Sequence, residues 1–237
     1  MTLPDRLRGV LPPDAAETWE RIAPIVPEAA YLGGGTAIAV HIRHRQSRDL
    51  DFFYHRGTVD LDALQGALAK AGPFAVTQRS PGTLNGVFSA TNVQFLHADA
   101  EQPQRLLEQP ALIAGLHVAG LADLMAMKLK VIAQRGELRD YFDLMAIEEH
   151  TGRTVEEGLG YFLARFQPAD ASNQVMAVIR ALGYLDDVDE DELLPAGKSD
   201  IARYWRSRQP EVLKSAGWLT SGGRPPPTPD EPIGTAG

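Results

Sequence analysis

The hydrophobic period of this chain changes once, near Pro110, and that change bounds the fold. Before it, short apolar runs at Phe74 to Gln78, Leu84 to Ala90 and Val93 to Leu96 are divided by Pro81-Gly82 and Thr91-Asn92. That spacing is the pattern of an antiparallel meander. After it, apolar residues recur three and four apart: Leu121, Leu124, Leu129 and Ile132, then Leu138, Tyr141, Phe142 and Met145. Tyr161 to Phe166, Val175 to Tyr184 and Ile201 to Leu213, the last holding Trp205, continue in the same helical style. The expectation is an α+β protein with a mixed sheet and helices over residues 1–110 and an all-helical domain over 111–219. Residues 220–237, with Pro225-Pro226-Pro227, read as a flexible Pro/Gly-rich tail.

Within the first half, Trp19, Ile22 and Ile25 have helical spacing, interrupted by Pro24 and Pro27. Ala29 to Leu32 reads as a strand that runs into Gly33-Gly34-Gly35. Thr36 is then the expected N-cap of a short helix holding Ala37, Ile38, Val40 and His41. Leu50, Phe52 and Phe53 suggest a strand, and Leu61, Leu64 and Leu68 an amphipathic helix closed by Gly72-Pro73.

Composition removes several function classes. The 237 residues include no cysteine, which excludes disulfide scaffolds, thiolate zinc sites and cysteine nucleophiles. Met1 to Val10 is polar, without an apolar run of signal-peptide length, and the stretch from Pro110 to Met127 contains His117 and Asp123. A cytoplasmic protein with no membrane partner is expected. The net charge of −8 speaks against a nucleic-acid partner only at first sight. Six acids lie in Asp186 to Glu192, a solvated run, which leaves the rest of the chain near −2. His41 to Arg56, by contrast, holds four arginines against two aspartates, a local +2.

Three constellations carry candidate chemistry. Glycines at 33 to 35 between a strand and a helix let backbone N–H groups approach a phosphate, and the helix dipole favours the anion. No Gly-Lys-Ser/Thr follows, so this is not a P-loop, and Ile38 stands in the place of a third Rossmann glycine; a bare turn is the plain alternative. Asp49 and Asp51 lie two apart on a strand, so both carboxylates face one way, about 6.6 Å apart, with Leu50 and Phe52 toward the core. Such a pair suits hard divalent cations that bridge a triphosphate and an attacking hydroxyl, although chance Asp-x-Asp pairs are common in a chain with 31 acids. Lys128 falls on the apolar stripe of its helix, where a lysine either snorkels or is aimed at an anion. Asp143 lies near Arg135, Arg139 and Asp140, which also reads as a surface salt-bridge ladder. His41 and His44 lack a third metal ligand, and the scattered tryptophans suit packing rather than base stacking.

Leu32-Gly33-Gly34-Gly35-Thr36-Ala37-Ile38-Ala39, followed by His44-Arg45-Gln46-Ser47-Arg48-Asp49-Leu50-Asp51-Phe52-Phe53, resembles the opening motifs of the AbiEii/AbiGii toxin family. That family is a branch of the polymerase β-like nucleotidyltransferase superfamily and includes the MenT toxins. Lys128 to Arg135 and Arg139-Asp140-Tyr141-Phe142-Asp143-Leu144 resemble the family's lysine and Arg-Asp-x-x-Asp-Leu motifs, over roughly residues 25 to 210 in all. The resemblance implies a polymerase β-like nucleotidyltransferase core followed by a helical domain, the site drawing residues from both. It implies phosphate binding by Gly34, Gly35 and Thr36, Mg²⁺ binding by Asp49 and Asp51, and a triphosphate contact from Lys128. Asp143 would be the later essential acid, with Arg139 a further nucleotide contact and Asp140 a weaker candidate. The implied chemistry is attack of an acceptor hydroxyl on an NTP, with pyrophosphate leaving. The implied setting is a toxin–antitoxin pair, with a tRNA 3′ end as acceptor and a cognate antitoxin as partner. A small-molecule or protein hydroxyl as acceptor, and a non-catalytic nucleotide- or partner-binding relative, are the other readings. Superfamily members often carry a third carboxylate on a later strand, where this chain has Gln94.

Overall fold

The computed structural model describes residues 7–99 and 104–219, and the expected tail at 220–237 lies outside them. The chain divides into two compact units, Met1–Leu124 and Met125–Gly237.

The first unit is built on one mixed sheet, of seven strands among the described residues. Its elements in chain order are α1 (Pro13–Ile22), β1 (Tyr31–Leu32), α2 (Gly34–Ile42), β2 (Leu50–Tyr54), α3 (Leu61–Ala71), β3 (Phe74–Ser80), β4 (Thr83–Phe88), β5 (Thr91–His97), β6 (Ala111–Ile113) and β7 (Leu116–Val118). Strand order is β3-β4-β5-β2-β1-β7-β6. The expected meander is present, since β4 pairs antiparallel with both β3 and β5. Parallel pairing then joins β5 to β2 and β1 to β7, while β1 and β2 run antiparallel. This arrangement puts β2 near the middle of the sheet.

Alternation sorts the two faces. Leu50, Phe52, Leu84, Phe88, Val93 and Phe95 are fully buried, with Phe52 stacked on Phe95 at 4.9 Å between ring centres. Helices α1 and α3 pack on β5 and β4. Pro13 opens α1, where its fixed φ suits the first turn, and Ala15, Thr18, Trp19 and Ile22 form the buried stripe. The Asp60 carboxylate caps α3 by accepting from the N–H groups of Asp62 and Ala63, both at 3.0 Å, and Leu61, Leu64 and Leu68 are buried as their spacing predicts.

Two expectations fail here. The chain after Pro110 is not all helix, because β6 and β7 extend the sheet before the helices begin at Leu121. Each strand is three residues long, too short to show alternation, and β7 is specified by its pairing with β1. Thr36 does not cap α2: the helix starts at Gly34 with Gly33 as N-cap. His44 lies beyond the αL cap at Arg43, so His41 and His44 do not share a helix face.

The second unit contains the rest of α4 (Leu121–Arg135), then α5 (Leu138–Thr151), α6 (Val155–Phe166), α7 (Ala171–Gly183) and α8 (Lys198–Ser215). Helix α8 organises it, touching α5, α6 and α7. Trp205 is fully buried on α8 and donates its indole N–H to the Tyr141 carbonyl of α5 at 3.0 Å. Gln209 donates to the Ile179 carbonyl of α7 at 2.9 Å. Arg208 reaches Glu148 of α5 at 2.9 Å and Glu156 of α6 at 2.6 Å. The Asp186–Glu192 run forms the loop before α8 and is mostly exposed, as expected of a solvated segment.

Candidate active site

Two groups of the expected residues assemble, one in each unit. In the first, β2 leaves the sheet centre with Leu50 and Phe52 on the buried face, so Asp49 and Asp51 are half-buried on the other. Backbone and side-chain contacts then fix both acids. The Gly33 N–H donates to the Asp51 carbonyl at 2.8 Å, which ties the glycine turn to β2. Gly34 has φ +65°, and a Cβ there would stand 2.5 Å from Asp51 Oδ2. Glycine is required at this position twice over, for its backbone conformation and for the approach of the carboxylate.

Thr36 is almost fully buried. Its hydroxyl donates to the Asp49 carbonyl at 2.5 Å and lies 2.8 Å from the Ser47 hydroxyl. The Asn92 amide donates to Asp49 Oδ1 at 2.9 Å. Gly34, Gly35 and Thr36 form the first turn of α2, whose leading N–H groups have no partner within the helix. Hard oxygen donors beside such a turn suit Mg²⁺, which is commonly held by one or two carboxylates together with water and substrate phosphates. Asp49 and Asp51 match that donor set; no group of three or more His, Asp or Glu arranged for a metal is present among the described residues.

The second group is a buried ion triad. Lys128 Nζ lies 2.6 Å from Asp140 Oδ1 and 2.7 Å from Asp143 Oδ2, with all three residues buried. Asp140 also accepts the Glu137 N–H at 3.0 Å at the start of α5. Burial alone pushes the Lys128 ammonium down, but the Asp143 and Asp140 carboxylates outweigh it and hold the amine above its ordinary pKa. The salt-bridge ladder is thereby corrected. Neither acid pairs with Arg135 or Arg139; those two arginines are exposed and pair with Glu137 at 3.3 and 2.5 Å. Asp143 is fully buried because the lysine compensates its charge.

A family model described as the nucleotidyl transferase AbiEii toxin of type IV toxin–antitoxin systems matches residues 20–214. The chain belongs to the AbiEii nucleotidyltransferase family. An uncharacterized protein of Aquifex aeolicus is 29% identical over 178 residues, covering 74% of this chain and 80% of its own length. Among solved structures, JHP933 of Helicobacter pylori superposes with a TM-score of 0.53 at 18% identity, covering 93% of this chain and 97% of that one. MenT4, a nucleotidyltransferase toxin of Mycobacterium tuberculosis, gives 0.53 at 18% identity over 84% of each chain. Both share the fold.

Against the AbiEii pattern, the register adds one observation that spacing leaves out. Asp51 stands directly opposite Gln94 on β5, so its cross-strand neighbour is a neutral amide. Sequence reasoning missed Ser47 and Asn92, which position Asp49, and the two-acid embrace of Lys128. The signal for the embrace was present, since a lysine on an apolar stripe needs a buried anion. No signal marked Asn92, whose contact depends on the parallel pairing of β2 with β5.

Proposed function

We propose that this nucleotidyltransferase moves a nucleotide from an NTP to the 3′-hydroxyl of an RNA, a tRNA 3′ end being the acceptor, and that it acts as the toxin of a cytoplasmic toxin–antitoxin pair restrained by a cognate antitoxin. The observation that carries the reading is the Asp49–Asp51 pair, held on one face of β2 against the glycine turn that opens α2. Asp49 and Asp51 would hold Mg²⁺, and the backbone N–H groups at Gly34, Gly35 and Thr36 would take the phosphates. A bound Mg²⁺ supplies charge stabilisation to the attacking and leaving oxygens of an in-line displacement. Lys128 contacts the triphosphate in this reading, Asp143 sets that lysine's position and charge, and Arg139 adds an exposed cation for the nucleotide. The local excess of arginine in His41 to Arg56 supports a polyanionic acceptor, because Lys and Arg neutralise backbone phosphates. Among the described residues no helix is long and apolar enough to cross a membrane.

The test is incubation of the chain with labelled NTPs, Mg²⁺ and total tRNA. Labelled RNA is expected, abolished by chelation and by Asp49→Asn or Asp51→Asn. Label that appears on protein or on a small molecule, with none on RNA, overturns the acceptor assignment while leaving the transfer chemistry.

A further inference from the structure

We propose that the open face of the sheet beside the carboxylate pair is a reading surface for the last nucleotides of a single-stranded RNA acceptor, built from an in-register row of amide side chains. The proposal rests on the RNA-acceptor reading above and names the part of the site that would take the acceptor. Register places Asp51 opposite Gln94, Gln94 opposite Asn85, and Asn85 opposite Gln78, across β2, β5, β4 and β3. All four occupy the face opposite Leu50, Val93 and Leu84, which are buried. One hydrogen bond lies within the row and another beside it. Asn85 Nδ2 donates to Gln78 Oε1 at 3.0 Å, and Asn92, two residues before Gln94 on the same face, donates to Asp49.

The chemistry of the row points to its ligand. Amides carry both donors and acceptors and no charge, so they can answer both kinds of group on base edges and ribose hydroxyls, which a phosphate does not present. Asparagine is disfavoured in strands, yet it occupies one face at two registers, Asn85 and Asn92. A surface that only meets water needs no such choice. Asn85 Oδ1 is buried without a hydrogen-bond partner, an unsatisfied acceptor within the row. Three strand spacings of about 4.8 Å give the row a reach of about 14 Å. That exceeds one nucleotide of a single strand, whose repeat is about 3.4 Å when stacked. Exposed Arg48 and Arg56 flank β2 before and after its carboxylates and are available to the backbone phosphates of such a strand.

The experiment measures fluorescence anisotropy of a 5′-fluorescein single-stranded RNA with a free 3′-hydroxyl, bound to the full chain and to the double variant Gln78→Met, Gln94→Met. Methionine keeps the length of glutamine and removes its hydrogen bonds. At least tenfold weaker RNA binding is expected, by the same factor at 50 and 200 mM salt, because amides release no counterions. Affinity for a non-hydrolysable NTP analogue and the thermal midpoint are expected to stay unchanged, which shows that the variant is folded. Unchanged RNA affinity overturns the proposal, as does a wild-type chain that binds no RNA. Loss of NTP affinity in place of RNA affinity also overturns it and assigns the row to the donor nucleotide. The transfer assay separates the two readings: RNA bound through the row but never labelled defeats the proposed function, and labelled RNA with an indifferent double variant defeats the row.

Discussion

At the residue scale, Gly34 and Thr36 show how a few atoms hold a carboxylate pair in place. A side chain at Gly34 would meet both a left-handed backbone and the Asp51 oxygen at 2.5 Å. Gly34→Ala is therefore expected to lose about 1–2 kcal/mol of stability from the backbone alone. It should lose nearly all transfer activity as well, read by chemical denaturation and by the RNA-labelling assay. Thr36→Val keeps the shape and deletes the hydroxyl that donates to the Asp49 carbonyl. The half-buried carbonyl and the Ser47 hydroxyl lose a partner, at a cost of about 1–2 kcal/mol. Because Asp49 then shifts without losing its charge, kcat should fall about tenfold with little change in KM for NTP. A KM effect alone would assign Thr36 to the ground-state nucleotide. For Asp143→Asn, the Lys128 ammonium keeps only Asp140 as a buried anion. Removing one member of a buried ion group costs about 3–5 kcal/mol, measurable by urea denaturation.

Helix α8 owes its place to side chains rather than to its own propensity, since Pro210 interrupts its hydrogen-bond ladder from within. Trp205, Arg208 and Gln209 each reach a different neighbouring helix or helix pair. Glu148 is the shared acceptor. It takes hydrogen bonds from Tyr204, from Arg208 and from the Val155 N–H at the start of α6. Glu148→Ala is expected to cost about 2–3 kcal/mol, below the fully buried case because Arg208 remains partly exposed. The comparison is Glu156→Ala, which leaves Arg208 its Glu148 partner; a larger loss there would contradict the central role of Glu148. The same logic explains the buried Asp123 in the first turn of α4. Its carboxylate accepts the Leu107 and Glu108 N–H groups at 2.9 to 3.2 Å and so anchors the loop before β6.

For the whole molecule, three groups of the second unit, Lys128, Tyr141 and Tyr204, are shifted in the same direction. Lys128 is held protonated by its two acids. Tyr141 is pushed up to about 12, first by burial and then by the Asp187 and Asp140 carboxylates. Burial and the hydrogen bond to Glu148 raise Tyr204 further. A group whose folded pKa lies above its unfolded value keeps its contribution below the unfolded value and loses it as pH rises through the folded one. Their contribution to stability should therefore be fully present below about pH 10, the ordinary value for Tyr and Lys, and be lost as pH rises above it. Helical circular dichroism against pH, with tyrosinate absorbance, checks this. Ionisation of Tyr141 and Tyr204 near pH 10 with the helices intact, read as the difference from the Tyr141→Phe and Tyr204→Phe variants, would contradict it.

Much of this fold is legible in the chain because local rules act over a few residues. The leucine spacing of α3, the meander of β3 to β5 and the shared face of Asp49 and Asp51 all follow from periods of 3.6 and 2. The glycine turn and the two motif blocks likewise identify the AbiEii family before any coordinate is known. Pairing between distant strands follows no such local rule. The parallel register of β2 with β5 sets Gln94 opposite Asp51 and brings Asn92 to Asp49, across 43 positions of sequence. The strands at β6 and β7, and the closure of two acids around Lys128, likewise depend on neighbours that no short window contains. Backbone preference is a property of a residue and its nearest neighbours, so sequence determines the elements and the polarity of their faces. Desolvation and pairing are properties of what packs together, and they decide which acids stay half-exposed and which are buried against a cation.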